Sequence, residues 1–126
     1  MSISISNKTK AAIPAVDFDV IARTILGKKY NLNLTFIGDS EMRKYNRMYR
    51  NVDKTTDILS FPIGPSDGDI LISPRETKKQ AGDFDMNYDN FMAYLFIHGC
   101  AHLKGYEHGS KMDLFEAKMK KRFHIE

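Results

Sequence analysis

The stretch HGCAHLKGYEH, residues 98–108, contains three of the four histidines in a chain of 126 residues. His98 and His102 are four positions apart, so on a helix both imidazoles leave the same face one turn apart. Two neutral nitrogens placed in this way grip one metal ion. Gly105 lets the backbone turn with φ > 0, and His108, three residues further on, can fold back onto the same ion. A lone histidine on an apolar helix is usually packed and hydrogen-bonded in a core. Three of them around a glycine break form a ligand pattern. Three neutral ligands leave the metal its full charge and one coordination position for water, whereas a structural zinc is closed by a fourth protein ligand. Cys100, the single cysteine, is two positions from each helical histidine and so falls on the opposite side of the helix, as a small core residue. His124 reads as a surface residue near a frayed end. One zinc ion per chain at a catalytic site is the expectation.

The histidine spacing is also that of the zinc proteases with HExxHxxGxxH. In those enzymes the residue after the first histidine is the glutamate that serves as general base. Here it is Gly99, which cannot move a proton, so peptide hydrolysis is the weaker reading.

These residues need elements to carry them. The longest apolar helix is expected over residues 88–104, stopped by Gly105. A last helix from about Ser110 to Phe123 places Met112, Phe115, Met119 and Phe123 on one face. Upstream, Ser and Ile alternate over residues 2–6, which predicts a short strand. Phe18, Ile21, Ala22, Ile25 and Leu26 recur at helical spacing between Pro14 and Lys29, with Gly27 near the end. Leu32, Leu34 and Phe36 alternate as in a half-buried strand. Asp39 or Ser40 is expected to cap a helix running to about Arg50. DILSF (57–61) and GDILIS (68–73) read as strands joined by the turn-rich PIGPSDG. In SPRE, Ser73, Pro74 and Glu76 predict a capping box. This order gives an α+β fold: one domain over residues 1–126, a small mixed β-sheet packed against helices and a zincin-like metal site.

Composition sets outer limits. With 42% hydrophobic and 28% charged residues the chain reads as a globular protein. No apolar run approaches a membrane span, and MSISISNKTK lacks the apolar core of a secretion signal, so the expected place is the cytoplasm, away from any membrane. A single cysteine excludes an intrachain disulfide and a thiolate zinc cluster. A net charge of +3 does not by itself announce a nucleic-acid partner.

The eleven residues from His98 closely resemble the signature His-Gly-x-Leu-His-Leu-x-Gly-Tyr-Asp-His of the YbeY family, bacterial zinc-dependent endoribonucleases. Ala101 replaces the usual leucine and Glu107 the usual aspartate, and neither change removes a ligand. NRMYRNVDKTTDILSFP, from Asn46 to Pro62, resembles the family's Asn-x-x-Tyr-Arg-x-x-Asp-Lys-Pro-Thr-Asp-Val-Leu-Ser-Phe-Pro, with Thr55 in place of a proline. GDILIS resembles the family's next strand. The resemblance covers Asn46 to His108. It implies a small α+β fold with a zinc pocket at one end of a sheet. It also implies RNA cleavage in ribosomal RNA maturation (16S rRNA processing) and ribosome quality control, with ribosomal particles as partners.

Between Arg43 and Lys54 there are five basic residues (Arg43, Lys44, Arg47, Arg50, Lys54) and one acid, Asp53. Arg43, Arg47 and Arg50 share one helical face, and with Lys54 they suit an RNA phosphate backbone, although such a stripe alone is more often a solvated surface. Tyr45 and Tyr49 lie on a neighbouring face, where core packing is favoured over base stacking. The family's Tyr-Arg pair singles out Arg50 as the catalytic residue, its guanidinium meeting charge on a phosphoryl oxygen. Asp57 either orients a ligand histidine or caps a turn. Ser60 either contacts substrate or closes a backbone hydrogen bond, and Asp69 stays ambiguous. The rivals are a zincin-type metalloprotease and a non-catalytic, zinc-containing ribosome-assembly factor.

Overall fold

The computed structural model describes residues 2–125. Nine elements follow one another: β1 (Ser2–Asn7), α1 (Phe18–Leu26), β2 (Asn31–Phe36), α2 (Asp39–Arg50), β3 (Ile58–Gly64), β4 (Asp67–Ile72), α3 (Pro74–Asp83), α4 (Tyr88–Lys104) and α5 (Ser110–Arg122). The strands form one mixed sheet in the order β1-β2-β4-β3, with β1, β2 and β4 parallel and β3 antiparallel to β4. This is the expected α+β architecture.

Strand alternation sorts the apolar side chains to two faces. Leu32, Leu34, Phe36, Ile70 and Ile72 join Phe18, Ile21, Ile25, Met92, Phe96, Ile97 and Cys100 in the main core. On the other face Leu59 packs with Met42 of α2 and Ile37, with Tyr45, Phe61 and Leu71 against them. The sheet is therefore covered by α1 and α4 on one side and by α2 on the other.

β3 is an edge strand, which explains how it accommodates Pro62, since an edge residue need not donate to a neighbour. The strand runs through PIG, which had been expected as connector, and leaves Pro65 and Ser66 as the turn. A register shift between Pro62 and Gly64 absorbs the irregularity.

Three local expectations need correction. The first helix begins at Phe18, capped by Asp17, whose carboxylate accepts from the Val20 N–H, so residues 14–17 lie outside it. The N-cap of α2 is Gly38, with no side-chain cap. Asp39 lies inside the first turn, where its carboxylate accepts from the Ser73 hydroxyl at 2.6 Å and so ties α2 to the start of α3. Only half of the Ser73 capping box forms. Ser73 Oγ accepts from the Glu76 N–H, but the Ser73 N–H goes to the Asp57 carbonyl, and Glu76 accepts from Gln80 instead.

Candidate metal centre

α4 presents the histidines because its other faces are buried. Phe91, Met92, Leu95, Phe96, Ile97 and Cys100 fix its rotation about its axis, which leaves His98 and His102 half-buried at the margin of the core. Cys100 is fully buried, and burial pushes its thiol well above the usual range, so it stays protonated. The helix ends where Gly105 adopts φ +111°, with the Tyr106 N–H returning to the Ala101 carbonyl. The Tyr106 ring stacks on Phe115 of α5 at 4.6 Å, which pins the segment that carries His108. The His108 ring then stands 5.4 Å from that of His98 and 4.7 Å from that of His102. One ligand atom from each histidine lies within 4.8 Å of the others, so the group can hold a metal ion.

The hydrogen bonds of the two helical histidines identify their tautomers. His98 Nδ1 lies 2.8 Å from Glu116 Oε2, and His102 Nδ1 lies 3.0 Å from the Tyr106 carbonyl. Both partners are acceptors, so each Nδ1 carries the proton and donates. Each Nε2 is then a bare lone pair, yet the two Nε2 atoms face each other at 3.2 Å. Two acceptors at that distance repel unless a cation or proton lies between them. Burial, then the neighbouring His98, hold His102 below the usual histidine range, which favours the neutral form that ligates. Two nitrogens on one tetrahedral zinc, each at about 2.0–2.1 Å, stand about 3.3 Å apart, so the observed spacing fits such an ion.

Glu116 was not singled out in the sequence. It is buried on α5 between Met112 and Met119, and a lone carboxylate on that apolar face was the available signal. Tyr94 lies beside it; burial, then the Glu116 carboxylate, push this phenol up to about 12, so it remains a neutral hydroxyl. Glu116 therefore orients the His98 ring. The half-buried Asp57 lines the same pocket as the histidines, where its carboxylate accepts from Thr56 Oγ1 at 3.4 Å and its backbone carbonyl accepts from the Ser73 N–H. Burial raises its carboxyl above the usual range, partly offset by the Ile58 N–H and the Thr56 hydroxyl.

The histidines form one wall of a pocket of about 530 Å³, whose other walls include Tyr49, Arg50, Thr56, Asp57, Ser60 and Phe61. Arg50 and Tyr49 arrive from the far side of the sheet. α2 stops at Arg50 because Asn51 turns into the left-handed region (φ 57°), and buried Asn46 then holds the following loop by donating to the Lys54 carbonyl at 2.9 Å. The pocket thus straddles the β3 edge. Thr55, where the family pattern has proline, is half-buried, and its hydroxyl has no hydrogen-bond partner among the described residues.

Of the basic stripe, only Arg50 lines this pocket. Arg43 makes two hydrogen bonds to Asp53, at 2.9 and 3.2 Å, and Arg47 lies 3.9 Å from the same carboxylate. Lys54 lines a shallower hollow with Arg43, Asp53 and Asp39, away from the histidines. Tyr49 departs from the core packing expected of it: its residue surface is 61% exposed.

Gly99 has a structural reason. A Cβ there would come within 2.7 Å of Ile58 Cδ1, 3.0 Å of Ser60 Oγ and 3.2 Å of Ile70 Cδ1. With α4 this close to the sheet, a side chain at that position would force the ends of Ile58, Ser60 and Ile70 aside, and a protease-type glutamate would need still more room.

Comparison with known proteins agrees with this geometry. The family model described as Endoribonuclease YbeY matches residues 3–124. A protein of Aliarcobacter butzleri named Endoribonuclease YbeY is 33% identical over 130 aligned residues, covering 98% of this chain and 90% of its own. Its namesake from Francisella philomiragia is 31% identical, covering 100% and 88%. The solution structure of a Thermotoga maritima protein superposes with a TM-score of 0.67 over 97% of this chain and 89% of that one; at 22% identity it speaks for the fold alone.

Proposed function

This chain belongs to the Endoribonuclease YbeY family, and from that premise we propose that it cuts RNA internally at the three-histidine pocket, using one zinc ion held by His98, His102 and His108. The observation that carries the metal assignment is the pair of bare Nε2 lone pairs facing each other at 3.2 Å. When bound, the ion supplies Lewis acidity, drawing charge from a phosphoryl oxygen or acidifying water. Glu116 and the Tyr106 carbonyl hold the two helical imidazoles in the ligating tautomer. Arg50, at the opposite wall, binds the scissile phosphate and meets the negative charge that grows on it. Arg43, Arg47 and Lys54 guide the flanking backbone, with Asp53 offsetting part of their charge.

RNA is the substrate class that the relatives' name gives. Ribosomal RNA within cytoplasmic ribosomal particles, with 16S rRNA maturation and ribosome quality control as the setting, is the narrower role that the family resemblance supports. No helix among the described residues is long and apolar enough to cross a membrane.

Metal analysis and cleavage assays test the reading together. Wild-type protein should carry about one divalent metal per chain and cut RNA while leaving casein intact. Each of His98→Ala, His102→Ala and His108→Ala should lower occupancy and cleavage, whereas His124→Ala, which alters an exposed histidine, should change neither. Full metal retention in His108→Ala would remove that residue from the ligand set, and casein cleavage without RNA cleavage would favour the protease.

A further inference from the structure

Beside the histidine pocket lies a second groove of about 510 Å³, lined by Tyr45, Tyr49, Phe61, Ile63, Asp69 and Leu71, with Pro62 at its floor. The two hollows share Tyr49 and Phe61, so they adjoin at those two rings. We propose that this groove is a nucleobase subsite, in which one unpaired base next to the scissile phosphate stacks against the Tyr49–Phe61 shelf. The proposal rests on the RNA-cleaving reading above.

The shelf is exposed and braced. Tyr49 is 61% exposed and Ile63 65%, whereas large apolar side chains elsewhere in this small protein mostly reach the core. The Tyr49 ring has two aromatic neighbours that brace it. Tyr45 stacks on it with centroids 6.1 Å apart and planes 13° apart, and Phe61 leans on it at 4.9 Å. A ring fixed in this way presents a flat surface at little further cost in ordering, which is what base stacking uses in proteins that bind single strands.

Charge divides the two hollows. Both hollows have one carboxylate in their lining, but the histidine pocket also has Arg50, a cation suited to a phosphate. The groove has no lysine or arginine in its lining, and its one charged residue is Asp69, whose carboxylate also accepts from Asn33 Nδ2 at 3.1 Å. A carboxylate repels phosphate but accepts from the exocyclic amino group of a base. The next group along the chain from a phosphate at Arg50 is a sugar bearing a base, and the adjoining hollow is flat, aromatic and unwelcoming to a second phosphate. An apolar side chain of a protein partner would also find contact here. The position beside the Arg50 pocket and the Asp69 carboxylate favour a base. A base engaged in a duplex cannot reach the shelf, so unpaired RNA is the form the site selects.

Single-turnover cleavage by the metal-loaded protein, with enzyme concentration varied, separates binding from chemistry. The substrates are an unstructured RNA with a mapped cleavage site and two copies of it, each abasic at one of the flanking nucleotides. Tyr49→Leu should raise the half-saturating concentration by about 10-fold, within the range for losing one stacked base, and alter the rate of bound RNA much less. Tyr49→Phe, which keeps the ring, should recover most of the binding that Tyr49→Leu loses. One of the abasic RNAs should bind wild type about as weakly as intact RNA binds Tyr49→Leu, and the two changes together should cost no more than either alone. Fluorescence of 2-aminopurine at that flanking position, quenched by wild type and Tyr49→Phe but not by Tyr49→Leu, reads stacking independently of cleavage. Independent, multiplying losses would overturn the subsite. So would unchanged RNA binding in Tyr49→Leu, which would assign the shelf to a protein contact. Tyr49-dependent quenching without cleavage of any RNA would instead retain the subsite and remove the nuclease reading.

Discussion

Arg50 and Arg47 differ by three residues and one turn of helix, yet they face different tasks. Arg47 shares Asp53 with Arg43 on the outer surface, while Arg50 enters the wall opposite the histidines. Arg47→Ala is therefore expected to weaken RNA binding modestly and to lower the salt slope by at most about 1. Arg50→Ala should slow single-turnover cleavage of bound RNA by roughly 10²-fold, the scale for losing one preorganised donor, and Arg50→Lys should recover part of it because the charge returns without the planar fork. Equal rates in the two alanine variants, at equal metal content, would reduce Arg50 to an ordinary backbone contact. Glu116 acts through His98. Glu116→Gln should keep the fold and lower metal affinity by about 10-fold or more, read by competition with a chelator, since a neutral amide is a weaker acceptor for the Nδ1 proton. An unchanged affinity would leave Glu116 with a packing role alone. The histidines could be picked out from their spacing, but Glu116 could not be paired with His98, because eighteen residues and a turn at Gly105 separate them.

Among the elements, α4 carries the greatest constraint. It must bury Phe96, Ile97 and Cys100, present two histidines, and still approach β3 and β4 closely enough that Gly99 touches Ile58, Ser60 and Ile70. Gly99→Ala should cost about 1–3 kcal/mol in urea unfolding, the range for overpacking a filled core. It should also disturb the pocket, because the helix moves as a unit with its ligands. A variant as stable as wild type would show that Ile58 and Ser60 give way freely. In the sequence, Gly99 appeared only as a missing base, since the reason for a glycine there lies on strands some thirty to forty positions upstream in the chain. The caps of α2 and α3 departed from expectation for a related reason. Asp39 had the chemistry to cap locally, but its carboxylate accepts from the Ser73 hydroxyl across the fold, at 34 positions' separation, while Ser73 still caps α3 by accepting from the Glu76 N–H.

For the molecule as a whole, the site is assembled at the edge of the sheet from elements on both of its faces. Glu116, the Tyr106 carbonyl and the Tyr106–Phe115 stack position the histidine-bearing segments, and the main core lies to one side of them. Chelation should therefore leave the protein folded, with unchanged far-ultraviolet circular dichroism, and free metal at a hundred times its Kd should add about 2.7 kcal/mol of stability by mass action. Unfolding on chelation would favour the non-catalytic reading, in which the metal organises the structure.

The sequence by itself determined the local features. It showed the histidine spacing with its glycine break, the alternation that buries Leu32, Leu34 and Phe36, and a long helix ending at Gly105. Each of these follows from periodicity or backbone freedom within a few residues, and each is present in the fold. What required the tertiary structure was every relation across the sheet. Arg50 shares a pocket with the histidines while Arg43 and Arg47 turn to Asp53, Glu116 holds His98, and Tyr49 stands exposed beside Phe61. A helical face can be read from spacing. Which strand edge that face meets is set by sheet order and the packing of distant side chains, and β3 occupies the edge only because the chain returns antiparallel to β4.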